Sequence, residues 1–155
     1  MDIYLMQHGE AAAEADDPAR PLTDAGRAAV TRVAFRAQMA GVSIDRFLHS
    51  GKLRAEQTAQ ILASALGTAS IEARDGLAPN DPVAPIADWL HDFTDASSLA
   101  LVGHLPFLDR LASLLVANDE DAYVVAFQNA ALVALAPKPD RAGFAVSWVL
   151  TKDIA

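Results

Sequence analysis

Two short apolar runs in this sequence each end on a histidine, and no other feature constrains the fold as much. Residues 3–6 are continuously apolar and lead into Gln7-His8-Gly9; residues 99–102 are equally apolar and lead through Gly103 into His104. A run without polar alternation suits a strand buried on both faces, as in a parallel sheet covered by helices. Gly9 permits a sharp turn directly after the first histidine. Between the two runs lies Ser50-Gly51-Lys52-Leu53-Arg54-Ala55-Glu56-Gln57-Thr58, which sets Arg54 at the start of a helix. In open α/β sheets, ligands sit beyond the carboxyl ends of the strands, where the strand order switches. Two imidazoles and one guanidinium at such an edge suit a phosphate site with a histidine nucleophile.

The rest of the chain alternates in the same way. Asp2 to Gln7 reads as a strand and residues 10–22, with Pro18 and Pro21, as a loop. Thr23 caps a helix running to about Ala40, and Gly41 stops it. Arg46 to His49 reads as a strand, residues 52–66 as a helix ended by Gly67, and residues 69–73 as a short strand. Residues 77–83 form a loop, residues 83–92 a helix and residues 99–103 a strand. Pro106 fits the first turn of the next helix, whose apolar face holds Phe107, Leu108, Leu111, Leu114 and Leu115. Residues 131–136 and Phe144 to Leu150 read as a hairpin around Pro137, Pro139, Asp140 and Gly143. The expected fold is a three-layer α/β/α sandwich with a mixed, mostly parallel sheet, and residues 1–155 form one domain.

Composition narrows the function. The formal net charge is −8, with 20 acidic against 12 basic residues. A chain of this charge lacks the basic face of a nucleic-acid binder and is not drawn to anionic membranes. An anion pocket must therefore supply its own local positive charge. There is no cysteine, which removes disulfides, thiolate catalysis and thiolate zinc sites. No His-x-x-x-His pair occurs, so neither a metal nor another cofactor is expected. No signal-like or membrane-spanning segment is evident, and the expected location is cytoplasmic.

His8 suits a nucleophile, since a neutral imidazole accepts a phosphoryl group near neutral pH. Arg54 suits a phosphoryl clamp, because its planar fork carries a permanent charge. His104, just before a helix, suits stabilisation of charge on the transferring oxygens. The plainer alternatives are a strand-end histidine held by backbone, a solvated arginine paired with Glu56 or Asp45, and a helix-capping histidine. His49 lies near the proposed mouth without an evident role, and His91 reads as a helix-surface residue.

The residues together resemble the histidine phosphatase superfamily, and within it the small SixA-type phosphohistidine phosphatases. The resemblance rests on His8-Gly9, Arg20-Pro21-Leu22-Thr23 with Gly26, Leu53-Arg54-Ala55-Glu56-Gln57-Thr58, Pro79-Asn80-Asp81 and Gly103-His104-Leu105-Pro106. It implies a phosphoglycerate mutase-like fold and a phospho-His8 intermediate. The implied partner is a phosphorylated histidine phosphotransfer protein, with inorganic phosphate as product. Gln7, Gly9, Arg20 and Ser50 become candidates for phosphate or substrate binding. Glu10 and Asp81 become candidates for the general acid that related phosphomonoesterases use; a solvated loop acid and a turn former are the alternatives.

Two positions depart from the family pattern. Gln7 stands where the family has an arginine, and Ser50-Gly51 stands where a Ser-Pro pair is expected. Glutamine brings no charge, and losing a charge-assisted bond costs about 1.5–3 kcal/mol. Three outcomes are open: a slower enzyme, compensation by another cation such as Arg20, or a module that binds phosphate without turnover. A phosphatase for small phosphate esters is the other enzymatic reading.

Overall fold

A computed structural model describes residues 1–155. Six strands form one mixed sheet: β1 (Asp2–Gln7), β2 (Arg46–His49), β3 (Ile71–Ala73), β4 (Ser98–Gly103), β5 (Leu132–Pro137) and β6 (Phe144–Leu150). Four helices connect them: α1 (Asp24–Met39), α2 (Leu53–Leu66), α3 (Ala84–Asp92) and α4 (Phe107–Ala117). The strand order is β3-β2-β4-β1-β5-β6. The β3-β2, β2-β4 and β4-β1 pairs are parallel; β1-β5 and β5-β6 are antiparallel. This is the expected α/β/α sandwich.

The continuous apolar runs are explained by burial on both faces. Side chains alternate across a strand. Ile3, Leu5, Leu99, Leu101, Val133 and Leu135 pack with α3 and α4. Tyr4, Met6, Ala100, Val102, Leu132 and Ala134 pack with α1 and α2. Those two helices meet the sheet largely through small residues, including Ala29, Ala34 and Ala37 of α1 and Ala55, Ala59 and Ala63 of α2. Small side chains bring the helix axes close to the strands and to each other. No helix is long and apolar enough to cross a membrane.

Element ends differ slightly from the sequence expectation. Lys52, Val83 and Pro106 are N-caps, each one residue before its helix; Pro106 thus lies outside the first turn. The third strand begins only at Ile71, and β5 runs from Leu132 through Pro137. The Thr23 hydroxyl caps α1 as expected, accepting from Gly26 N at 2.9 Å.

The sheet register sets the functional edge. Gln7 pairs with Gly103 and His49 with Val102, so β1, β4 and β2 end at one level. His8 N donates to Gly103 O at 3.0 Å, which holds the first histidine beside the end of β4.

The loop after β1 lies tightly against α1. A Cβ built on Gly26 would sit 2.1 Å from Glu10 O and 2.8 Å from Glu10 N. Gly26→Ala gains about 1 kcal/mol of helix propensity. The clash with backbone outweighs this, because overpacking against rigid atoms costs about 1–3 kcal/mol or more. We expect Gly26→Ala to lower the denaturation midpoint in a urea titration; a midpoint at or above wild type would contradict the close approach.

Candidate active site

The His8 ring is held at both nitrogens. Nδ1 lies 2.6 Å from Gly9 O, and a carbonyl only accepts, so Nδ1 carries the proton. Arg54 Nε donates to His8 Nε2 at 3.2 Å, so Nε2 offers a lone pair. Burial lowers the His8 pKa, the bond to Gly9 opposes that, and Arg54 and Arg20 lower it further. The imidazole is therefore neutral near pH 7, with its Nε2 lone pair accepting from a guanidinium.

Arg54 occupies the first turn of α2 with no carboxylate partner; the ion pairs of the protein are Arg46–Glu72 and Arg110–Glu120. Its pairing with Glu56 or Asp45 is thus not seen. Thr58, one turn on, is fully buried and joins two parts of the site. Its hydroxyl accepts from Gly9 N at 3.1 Å and donates to Arg54 O at 2.7 Å. Gln57 Oε1 accepts from Leu22 N at 2.8 Å and anchors the loop carrying Arg20 to the same helix.

His104 follows β4 and lies with its ring centroid 5.0 Å from that of His8. Its Nε2 is 2.6 Å from Ser50 Oγ, and its buried Nδ1 has no partner. Its pKa falls from 6.5 to about 3, chiefly through burial, with His8, Arg54, Lys52 and Arg20 adding to the shift. The residue is 2% exposed, which accords with burial as the leading cause.

Arg20 sits in the left-handed region at φ 50°, and its Nε donates to Ala12 O at 3.0 Å. Its charge depresses the pKa of His8, Arg54 and His104 alike. His8, Arg54, His104 and Arg20 thus lie close enough to influence one another's charge on an acidic protein.

Gln7 is differently engaged. Its Nε2 donates to Asn129 Oδ1 at 2.6 Å, and its buried Oε1 has no partner. Its amide protons are turned to Asn129 and not to His8 or Arg54. Reversing both amides would keep the bond and exchange NH2 for oxygen on the unpartnered side. Asn129 lies 122 residues away in sequence, and no local pattern marks it; Thr58 was visible only within the family motif.

The two carboxylates proposed as general acids have other partners. Glu10 Oε1 accepts from the Thr23 hydroxyl at 2.9 Å, at the start of α1. Asp81 Oδ2 accepts from Ala78 N at 2.8 Å and closes its own turn. Neither hydrogen-bonds to His8, Arg54 or His104. No cluster of three or more His, Cys, Asp or Glu is arranged to hold a metal ion.

Comparison with known proteins places this geometry in a class. The profile of the histidine phosphatase superfamily (branch 1) matches residues 3–81. The chain belongs to the histidine phosphatase superfamily, in its SixA-type branch. It is 33% identical over 117 residues to phosphohistidine phosphatase SixA of Escherichia coli (strain K12), covering 73% of each protein. It is also 35% identical over 140 residues to an uncharacterized protein of Picosynechococcus sp., covering 87% of this chain and 84% of that one. Among solved structures, protein histidine phosphatase SixA complexed with tungstate superposes with a TM-score of 0.86 at 27% identity, covering 99% of this chain and 98% of that one. A phosphoserine phosphatase from Entamoeba histolytica shares the fold, with a TM-score of 0.75 at 15% identity over 99% of each chain.

The depressed His104 pKa has a consequence for stability. An unfolded His104 takes a proton near pH 6.5, whereas the folded one resists protonation down to about 3. Protons therefore favour the unfolded chain in this window. The His104 contribution is intact above about pH 6.5 and is lost as pH falls toward about 3. We expect His104→Gln, which cannot titrate, to lose less stability than wild type between pH 7 and 4 in denaturant titrations. Parallel curves for the two proteins would contradict the shift.

Proposed function

We propose that this protein is a phosphohistidine phosphatase acting through a phospho-His8 intermediate, with a histidine phosphotransfer domain as substrate. The observation that carries the reading is the fixed tautomer of His8. Its proton is on Nδ1, and its Nε2 lone pair lies 3.2 Å from Arg54 Nε. Phosphoryl transfer requires mostly positioning and charge stabilisation, and both are available here.

In the first step His8 Nε2 forms a bond to phosphorus as the substrate P–N bond breaks. The substrate ring, already protonated on its other nitrogen, keeps the P–N electron pair and leaves as neutral imidazole. In the second step water attacks phosphorus, the bond to His8 breaks, and inorganic phosphate leaves. Arg54 and Arg20 neutralise the phosphoryl oxygens, while His104 and Ser50 donate to them. Placing Arg20 here offsets the charge missing at Gln7.

The occupied carboxylates favour phosphohistidine over an alkyl ester. An alcohol leaving group needs a proton donor, and Glu10 and Asp81 are held elsewhere. An imidazole leaves already protonated and needs no such acid. The identity with Escherichia coli phosphohistidine phosphatase SixA supports the same substrate class. The engagement of Gln7 with Asn129 favours a second reading, a phosphate-recognition module with slow turnover.

One assay separates the readings. Phosphate release is followed from a phosphorylated histidine phosphotransfer protein with wild type, His8→Ala, Gln7→Arg and Arg20→Ala. We expect no release by His8→Ala and faster release by Gln7→Arg, since Asn129 Oδ1 accepts from a guanidinium as well as from an amide. Arg20→Ala should fall by about ten- to a hundredfold, the worth of a charge-assisted bond. Undiminished turnover in His8→Ala would sink the mechanism. Release by Gln7→Arg but not by wild type would identify the recognition module.

A further inference from the structure

We propose that His49 is a positioning residue for the phosphate site: its Nδ1 accepts the Gly51 amide and so fixes the turn that delivers Ser50 and Arg54. The role in turnover rests on the phosphatase reading above; the geometric claim does not.

Little besides His49 holds the Gly51 amide in place. Helix α2 has Lys52 as N-cap, with no side-chain capping bond. A Cβ built on Gly51 would meet nothing within 4 Å, so no packing on that side holds Gly51 itself. Gly51 sits at φ +83°, in the left-handed region. Such a residue samples many conformations unless hydrogen bonds select one.

Beyond the Lys52 carbonyl, which accepts from Ala55 N at 2.9 Å and Glu56 N at 3.0 Å as α2 begins, and Ser50 Oγ against His104 Nε2, two bonds restrain the amides of the turn itself. Gly51 N donates to His49 Nδ1 at 3.1 Å, and Lys52 N donates weakly to Ser50 Oγ at 3.4 Å. The first is anchored in rigid structure. His49 is 6% exposed at the end of β2, in register with Val102 and Ala73, and its carbonyl accepts from Arg74 N at 2.9 Å. Its ring thus works as an asparagine does in an Asx-turn, accepting from the amide two residues on.

Beyond the turn stand the two groups it positions. Ser50 Oγ is 2.6 Å from His104 Nε2, and Arg54 Nε is 3.2 Å from His8 Nε2. The glycine and the histidine also account for each other. A proline at 51, as in the family's Ser-Pro pair, has φ fixed near −65° and no N–H to donate. With glycine at 51 the backbone takes φ +83°, which proline cannot adopt, and the His49 bond restrains that different turn. Because Nδ1 is the acceptor, the proton is on Nε2 and the ring is neutral, a state that burial favours and Glu56 opposes.

The test compares wild type, His49→Asn and His49→Val. Asparagine places Oδ1 where Nδ1 stood and keeps the turn; valine suits the strand end but accepts nothing. Inorganic phosphate affinity is measured by calorimetry at pH 7.5, alongside melting temperature. We expect His49→Asn to stay within about twofold of wild type and His49→Val to weaken by about five- to tenfold, the worth of one hydrogen bond. The melting temperatures should stay close together, because a freed Gly51 amide meets water. Equal phosphate affinity in His49→Val, or equal loss in both variants, would overturn the proposal.

Nuclear magnetic resonance keeps the test independent of phosphate binding and of any variant. In wild type, a coupling across the hydrogen bond between Gly51 N and His49 Nδ1 is expected, and its absence overturns the proposal. The Arg54 Nε–H signal should be protected in wild type and His49→Asn and exchange faster in His49→Val; unchanged protection would also overturn it. If wild type binds no phosphate, the phosphatase reading fails, and these signals still decide the role of His49.

Discussion

The shared level at which β1, β2 and β4 end is the constraint on which the site depends. Gln7 pairs with Gly103 and His49 with Val102, so the residues just beyond them emerge side by side. A shift of β1 by one residue would exchange its core faces and carry His8 to the opposite side. The register is secured by burial on both faces, because Ile3 and Leu5 fill one layer while Tyr4 and Met6 fill the other. Core packing and site geometry are thus one requirement, met by the same short strand.

Given that edge, the electrostatics follow from enclosure. Burial keeps His8 and His104 neutral, and the cations gathered around them act in the same direction. A neutral His8 is a nucleophile, whereas an imidazolium has no lone pair to give. In the proposed mechanism, the guanidinium that favours an incoming anion also adds to burial in keeping His8 unprotonated before the anion arrives. When a phosphoryl dianion enters, its charge opposes that of Arg54 and Arg20 and removes their pressure on the imidazoles. The net charge of −8 makes this local reversal of sign selective for a ligand that reaches the pocket itself.

Much of this was legible in the sequence because it is local. Continuous apolar runs ending in glycine or histidine located β1 and β4, and Thr23 marked the start of α1. The three residues that meet at the edge, His8, Arg54 and His104, were each visible as an end of one element. What was not legible depends on contacts between distant residues. Asn129 meets Gln7 across 122 positions, and no periodicity reports such a contact. The engagement of Glu10 with Thr23 and of Asp81 with its own turn was open in the sequence, since a loop carboxylate reads alike in either role. Strand ends shifted for a related reason: Ala69 and Ser70 have strand-compatible side chains, yet only Ile71 to Ala73 find register partners in β2.

The two departures from the family pattern differ in physical kind. At position 7 a charge is missing, and the replacement amide bonds to Asn129, so the loss falls on recognition of the anion. At position 51 a rigid ring is missing, the backbone takes φ +83° instead, and a bond from His49 restrains it there, so the loss falls on the shape of a turn. A missing charge is offset only by another charge within a few ångströms, because screening and solvent weaken distant ones. In the proposed mechanism that offset falls to Arg20, whose charge lowers the pKa of His8, Arg54 and His104 from a loop that Gln57 ties to α2. A missing restraint can be replaced by any bond that selects a single backbone conformation, even one that proline cannot adopt. That difference explains why the substitute for proline lies two residues away in sequence, while the substitute for the arginine has to come from another loop.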